Sequence, residues 1–221
     1  RILIISTGLL WIYLALSQVV HHFVFPEPPI PSSLAPHKGT HIVNPVAGEE
    51  IRIVRDRFET NGSLVEIEVT LAPGGAVPLA HIHQYTREIF IGIEGTTVLT
   101  VNGVDHQLRA GTTLEVDPAV AHVPSNPSEE TVRFRVIMSP PRDLDICLVQ
   151  VHQFLSQEHI HSAWVTKTLQ LMRYAHTYDI YLAGPPLLLQ RIGLWLLTPT
   201  LRMLGYERFA HEKKTNGVRT P

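Results

Sequence analysis

The chain has one cysteine, Cys147, among its 221 residues, so no internal disulfide can staple the fold. Charge of either sign is also scarce. Lys plus Arg number 18 against 20 Asp plus Glu, for a net charge of −2 and a pI near 6.7. That balance gives no electrostatic footprint for nucleic acid, and no nucleic-acid partner is expected. Internal repeats and low-complexity tracts are missing as well, which excludes solenoids and arrays. What remains is a chain of a length suited to one domain with a sizeable core plus extensions.

The extensions are visible first. Ile2 to Val20 carry no charge and reach the length of a minimal bilayer-spanning helix. Residues 1–25 therefore read as a membrane anchor or, because Ala15-Leu16-Ser17 offers small residues at a cleavage offset, as a signal segment. Retention is favoured by the apolar continuation to Phe25, and the expected localisation is a single-pass membrane or secretory-pathway protein. If the domain is lumenal, Asn61-Gly62-Ser63 is a glycosylation acceptor. Residues 26–44, with Pro26, Pro28, Pro29, Pro31 and Pro36, read as a stiff linker or as an arm laid over the domain.

Strand signals dominate residues 45–140. Ile51–Phe58 and Ser63–Leu71 flank Asn61-Gly62, a two-residue hairpin signal. Val65, Ile67, Val69 and Leu71 alternate with Glu66, Glu68 and Thr70, so one face is buried. Glu88–Glu94, Thr96–Val101 and Val104–Leu108 follow, with Asn102-Gly103 as a turn, and Thr131–Met138 closes the series. There Val132, Phe134, Val136 and Met138 point inward and Arg133 and Arg135 outward. Short strands at this spacing predict a mainly β, antiparallel sandwich or barrel. Residues 141–221 change to helical period: Leu144, Leu148, Val151 and Leu155, then Trp164, Thr168, Leu171, Ala175 and Tyr178. Leu187–Leu197 and Thr200–Leu204 read as two further helical pieces broken at Thr198-Pro199. They are expected to pack on the barrel, lie at a membrane surface, or form a homodimer contact.

The chemistry sits in Gly75-Ala-Val-Pro-Leu-Ala-His81-Ile-His83-Gln-Tyr-Thr-Arg-Glu88, answered downstream by His122. On a strand, residues i and i+2 share a face, so His81 and His83 can hold one ion together. Glu88 lies far enough on for the chain to return a carboxylate to that ion. Imidazoles with one carboxylate make a mixed N/O site for iron, manganese, nickel or zinc. A second His-x-His pair, His159 and His161, sits in helical sequence without a matching Glu and reads as surface or interface.

With the strands in place, these residues resemble the cupin superfamily. Its first motif, G-x5-H-x-H-x(3,4)-E-x6-G, is matched by Gly75, His81, His83, Glu88 and Gly95. Its second, G-x5-P-x-G-x2-H-x3-N, is matched by Gly111, His122 and Asn126. Asp117 and Ala119 replace the family Pro and Gly, which bears on the turn before His122 and not on the ligand. The resemblance implies a single antiparallel jelly-roll barrel, with a divalent transition metal held by His81, His83, Glu88 and His122 and two coordination positions open. It implies a small-molecule substrate and, from the apolar surround of Phe90, Gly92, Val136 and Met138, an organic one. Oxygenase-type chemistry is the leading expectation, and isomerisation, cyclisation or decarboxylation with Glu88 as a candidate base stands beside it. Tyr85 is a candidate pocket residue, and Arg87 points outward. The alternative is a non-catalytic, membrane-anchored binding or scaffold protein.

Overall fold

A computed structural model describes residues 2–45, 47–77, 79–155 and 164–209. Among these, eleven strands form two antiparallel sheets that face each other. The larger sheet runs β1 (His41–Asn44), β2 (Glu49–Arg55), β3 (Val65–Leu71), β10 (Val132–Ser139), β5 (Arg87–Glu94), β8 (Thr113–Val116). The smaller runs β11 (Ile180–Leu182), β4 (His81–His83), β9 (His122–Ser125), β6 (Thr96–Val101), β7 (Val104–Arg109). Helices flank this jelly roll: α1 (Ile2–Val19) before it, and α2 (Leu144–Leu155), α3 (Trp164–Tyr178) and α4 (Leu187–Met203) after the tenth strand.

Alternation builds the barrel core. Inward residues of β2, β3, β5 and β10, among them Ile51, Ile67, Val69, Phe90, Phe134 and Val136, are all buried. Each such side chain contributes about 1.5–3 kcal/mol by leaving water. On the outer face Arg135 pairs with Glu66 at 3.0 Å and Arg52 with Glu68 at 3.0 Å, lacing neighbouring strands with charge. Partly exposed pairs of this kind add only fractions of a kcal/mol.

The turns depart from expectation at one hairpin. Asn102-Gly103 makes a tight turn with φ of +49° and +79°, as the dipeptide dictates. Asn61-Gly62 has the same left-handed φ pair, +50° and +74°, but is not a two-residue loop. Strand β2 ends at Arg55 because the Asp56 carboxylate captures the N–H groups of Phe58 and Glu59, both at 2.9 Å. That Asx-type turn competes with strand pairing and lengthens the connection.

The termini bring two corrections. The expected bilayer-spanning segment is not supported, since among the described residues no helix is long and apolar enough to cross a membrane. Instead α1 lies against α4, where Tyr13 and Thr200 hydroxyls bond at 2.8 Å and Ser17, Gln18 and His21 are buried. The expected break at Thr198-Pro199 is also absent, and α4 runs through Pro199. Proline removes the N–H that would reach the Trp195 carbonyl four residues back. Gln18 Nε2 donates to that same carbonyl at 2.8 Å, so the orphaned acceptor is satisfied from α1. Of the stretch 26–44, the part around Ile30 to Ala35 is laid against the helices, while His41–Asn44 joins the sheet as β1: Ala35 is buried beside Ile146, Cys147, Tyr174 and Tyr178, with Ile30 and Leu34 packed on the same cluster. His159 and His161 lie outside the described residues.

Candidate metal centre

Three of the four candidate ligands come from the smaller sheet. His81 and His83 flank Ile82 on β4, and His81 pairs directly across to His122 on β9. The ring centroids of His81 and His122 are 4.5 Å apart, and those of His81 and His83 4.9 Å. One ring nitrogen from each of the three histidines lies within 4.8 Å of the others. The fourth residue, Glu88, enters from β5 of the facing sheet, directed inward by the same alternation that buries Phe90. Its carboxylate is 2.6 Å from His122 Nε2 and 3.8 Å from His83 Nε2. All are buried except His81, which is partly exposed.

The outer ring nitrogens determine what the inner ones can do. His81 Nδ1 donates to the Leu79 carbonyl at 2.8 Å, and His122 Nδ1 to the Val120 carbonyl at 3.1 Å. His83 Nδ1 points at the Asp179 carbonyl at 3.4 Å. Carbonyls only accept, so each Nδ1 carries a proton and each ring turns its Nε2 inward, where the neutral form offers a lone pair. This is the arrangement by which histidine ligands are usually oriented toward a metal. The inward atoms also fail to satisfy one another. Glu88 Oε2 and His122 Nε2 are in close contact, yet both are buried without an aligned hydrogen bond, as expected of donors aimed at a common third centre.

Electrostatics keeps the set ready for a cation. Burial, reinforced by neighbouring His83 and His122, lowers His81 to about 3, and burial lowers His83 in the same direction. Burial pushes the Glu88 carboxyl up, but His83 and His122 outweigh it and hold it at about 2. His122 is the exception: burial pulls it down, and Glu88 raises it further than burial lowers it.

Local backbone explains how the motif residues place these groups. Gly92 must lack a side chain, since a Cβ there would sit 2.1 Å from the Arg109 carbonyl oxygen. Ala119, at the position where the family pattern has Gly, takes φ of +65° in the turn leading to His122. Its N–H bonds the His83 carbonyl at 2.7 Å, which holds a strained conformation worth of order 1 kcal/mol. Asn126 is not at the cluster. Its buried amide donates to the carbonyls of Leu71, Ala72 and Glu130 at 3.1, 2.9 and 2.7 Å, tying β9 to the ends of β3 and β10. Arg87 is exposed and pairs with Glu115 and Asp117. Tyr85 is turned away from the cluster under the Arg142 guanidinium, 4.2 Å from its ring centroid.

Sequence spacing gave no sign of Asp179. It follows α3, has φ of +59°, and supplies the carbonyl facing His83 as well as a carboxylate that accepts from the Gln84 and Tyr85 N–H groups. The next three residues form β11, which pairs with β4, Ile180 opposite His83 and Leu182 opposite His81. The strand carrying two candidate ligands is thus held on one side by β9 and on the other by a segment nearly a hundred residues away.

The cluster forms one end of a cavity of about 690 Å³ between the sheets and helices α2, α3 and α4. Residues 67–138 match the family described as "Cupin domain". That stretch, from β3 to β10, is therefore similar to a cupin domain. No curated protein matches the sequence. A sugar phosphate isomerase from a cupin superfamily of Silicibacter pomeroyi DSS-3 is 19% identical, with 51% of this chain and 75% of that one covered and a TM-score of 0.39. A predicted oxalate decarboxylase of Thermotoga maritima is 20% identical over 51% of this chain and 98% of that one, with a TM-score of 0.41. An RmlC-like cupin of Shewanella frigidimarina NCIMB 400 is 19% identical over 53% and 95%, with a TM-score of 0.39. At these identities nothing about activity is carried over from them.

Proposed function

We propose that the protein is a metal-dependent enzyme acting on a small organic molecule, with a divalent transition metal held by His81, His83, Glu88 and His122 and oxygenase-type chemistry as its reaction. The observation that supports this reading is three histidine ring nitrogens within 4.8 Å of one another, with the Glu88 carboxylate beside His122 and His83, at the end of an apolar cavity. Iron, manganese, nickel or zinc bound there would polarise a substrate oxygen as a Lewis acid, and a redox-active ion would also supply electrons to dioxygen.

The chain's own residues do the remaining work. Backbone carbonyls of Leu79, Val120 and Asp179 fix the rings and keep Nδ1 protonated. Glu88, ionised at any ordinary pH, offsets one positive charge and is the carboxylate nearest to a substrate atom over the cluster. In an isomerisation, cyclisation or decarboxylation the same carboxylate would serve as base only after releasing the metal. Phe90, Val136 and Met138 keep the site dry, which strengthens each of these electrostatic contacts.

Metal analysis of protein purified without chelator tests the reading, together with dioxygen uptake on candidate substrates. A stoichiometric transition metal is expected in the wild type, and loss of both metal and turnover in His81→Ala and His122→Ala. A folded wild type that takes up no transition metal would leave a non-catalytic binding protein.

A further inference from the structure

The cavity has a second polar end that the metal cluster does not use. Glu49 on β2 and His152 on α2 are 4% and 8% exposed, and His152 Nε2 is 3.0 Å from Glu49 Oε2. Both line the cavity. His152 Nδ1 donates to the Leu148 carbonyl at 2.7 Å, which turns Nε2 toward the carboxylate. Asn44, the cross-strand partner of Glu49, lines the same end. Its Oδ1 accepts from the Ala47 N–H at 3.3 Å, and among the described residues its NH2 has no acceptor and Glu49 Oε1 no donor. Donor and acceptor side by side match a hydroxyl group, which needs both. A carboxylate would meet the Glu49 charge.

The two ends are far apart. Glu49 pairs with Leu71, Leu71 with Val132, and Glu88 with Met138 on the same strand as Val132. Three strand spacings of about 4.8 Å and six residues of about 3.3 Å separate them by roughly 25 Å along the sheet, less in a straight line. The wall between is hydrocarbon: Ile51, Val69 and Phe134 from the sheet, Leu148, Leu171 and Leu194 from the helices. Among the described residues, no Lys or Arg lines the cavity. A phosphate or dicarboxylate bound there would keep an uncompensated charge in apolar surroundings, which costs several kcal/mol. At about 690 Å³ the space is in the range of drug-sized ligands.

We infer that the substrate is an elongated, uncharged lipophilic alcohol, its hydroxyl seated at Asn44, Glu49 and His152 and its far end at the His81–His83–Glu88–His122 cluster. The inference rests on the metal-dependent reading for calling this molecule a substrate, but the binding geometry does not require the metal.

Displacement of the fluorescent probe N-phenyl-1-naphthylamine from chelator-treated full-length protein tests it, with 1-dodecanol, its methyl ether and dodecanoate as competitors. Dodecanol should displace the probe about tenfold more effectively than either relative, the worth of one hydrogen bond to a charged group. Glu49→Leu should bind alcohol and ether alike, and His152→Phe serves in its place if that variant does not fold. Failure of dodecanol to displace the probe, or equal competition by alcohol and dodecanoate, overturns the inference. Metal content of the same preparation before chelation separates the two readings. Metal present with no dodecanol binding sinks this inference alone, and dodecanol bound by a protein that takes up no metal sinks the enzymatic reading while leaving the alcohol site.

Discussion

Replacing Glu88 with glutamine exchanges a charged oxygen for an uncharged amide nitrogen of nearly the same size, and it should cost the site most of its metal affinity. In the metal-free protein Glu88 is held at about 2 and His81 at about 3, so neither carries a proton that an incoming ion must displace at neutral pH. His122 is the exception, because the Glu88 carboxylate 2.6 Å away raises its affinity for a proton. Wild-type metal affinity should therefore rise about tenfold per pH unit below the raised His122 value and level off above it, one proton being released per ion. In Glu88→Gln the raising influence of the carboxylate is gone, leaving burial against the smaller effect of the Val120 carbonyl on His122, so this slope shrinks around neutral pH. Loss of an outer-shell partner typically costs 10- to 100-fold in metal affinity, and a charged donor aimed at the ion should reach at least the upper figure, roughly 3 kcal/mol. Competition for zinc against a chromophoric chelator from pH 6 to 8 measures both quantities, with thermal melts of the metal-free proteins as the control for folding. Glu49→Gln is the matched comparison, a buried carboxylate in the same cavity that should leave zinc affinity unchanged. Equal affinity and equal pH slope in wild type and Glu88→Gln would refute the reasoning.

Three further outcomes follow from the packing. Asn126→Ala leaves the carbonyls of Leu71, Ala72 and Glu130 without their donor, the first in a buried bond and the others in part-buried ones, and should lower stability by about 2 kcal/mol in urea denaturation, with metal stoichiometry in the folded fraction unchanged. Arg57→Met strands the Asp145 carboxylate, fully buried at the start of α2 and gripped by the Arg57 guanidinium, and should cost about 3–5 kcal/mol by the same measure; a change below 1 kcal/mol would mean water reaches Asp145. Cys147 is 1% exposed and burial pushes its thiol up, so dithionitrobenzoate should label it only after denaturation. Labelling of the native protein at the denatured rate would show that the cavity beside Cys147 admits charged reagents.

Local period made the barrel legible. Val65 to Leu71 and Val132 to Met138 alternate so strictly that their inward faces follow from side-chain geometry alone, and β6 has the bounds its pattern predicts. Strands β1, β4, β8, β9 and β11 are only three or four residues long, too short for a periodic signal to rise above chance. The same locality explains the error at Pro199: a proline breaks a helix unless something else satisfies the freed carbonyl, and here that is Gln18, 177 residues away in sequence. The outward direction of Arg87 is a matter of alternation, whereas Tyr85 sits in a turn, where no period applies.

The candidate site divides along the same line. The sequence by itself determined the identity and spacing of His81, His83, Glu88 and His122, because a strand fixes which neighbours share a face. Only the tertiary structure decided that Glu88 reaches the histidines from the opposite sheet, since that depends on how two sheets stack. It also decided that Asp179 orients His83 and that Glu49 and His152 meet at the far end of the cavity. Those contacts join residues 96 and 103 positions apart, and no local preference encodes them. They arise when burial of the helices' apolar faces against the barrel leaves polar groups that must find partners where they lie.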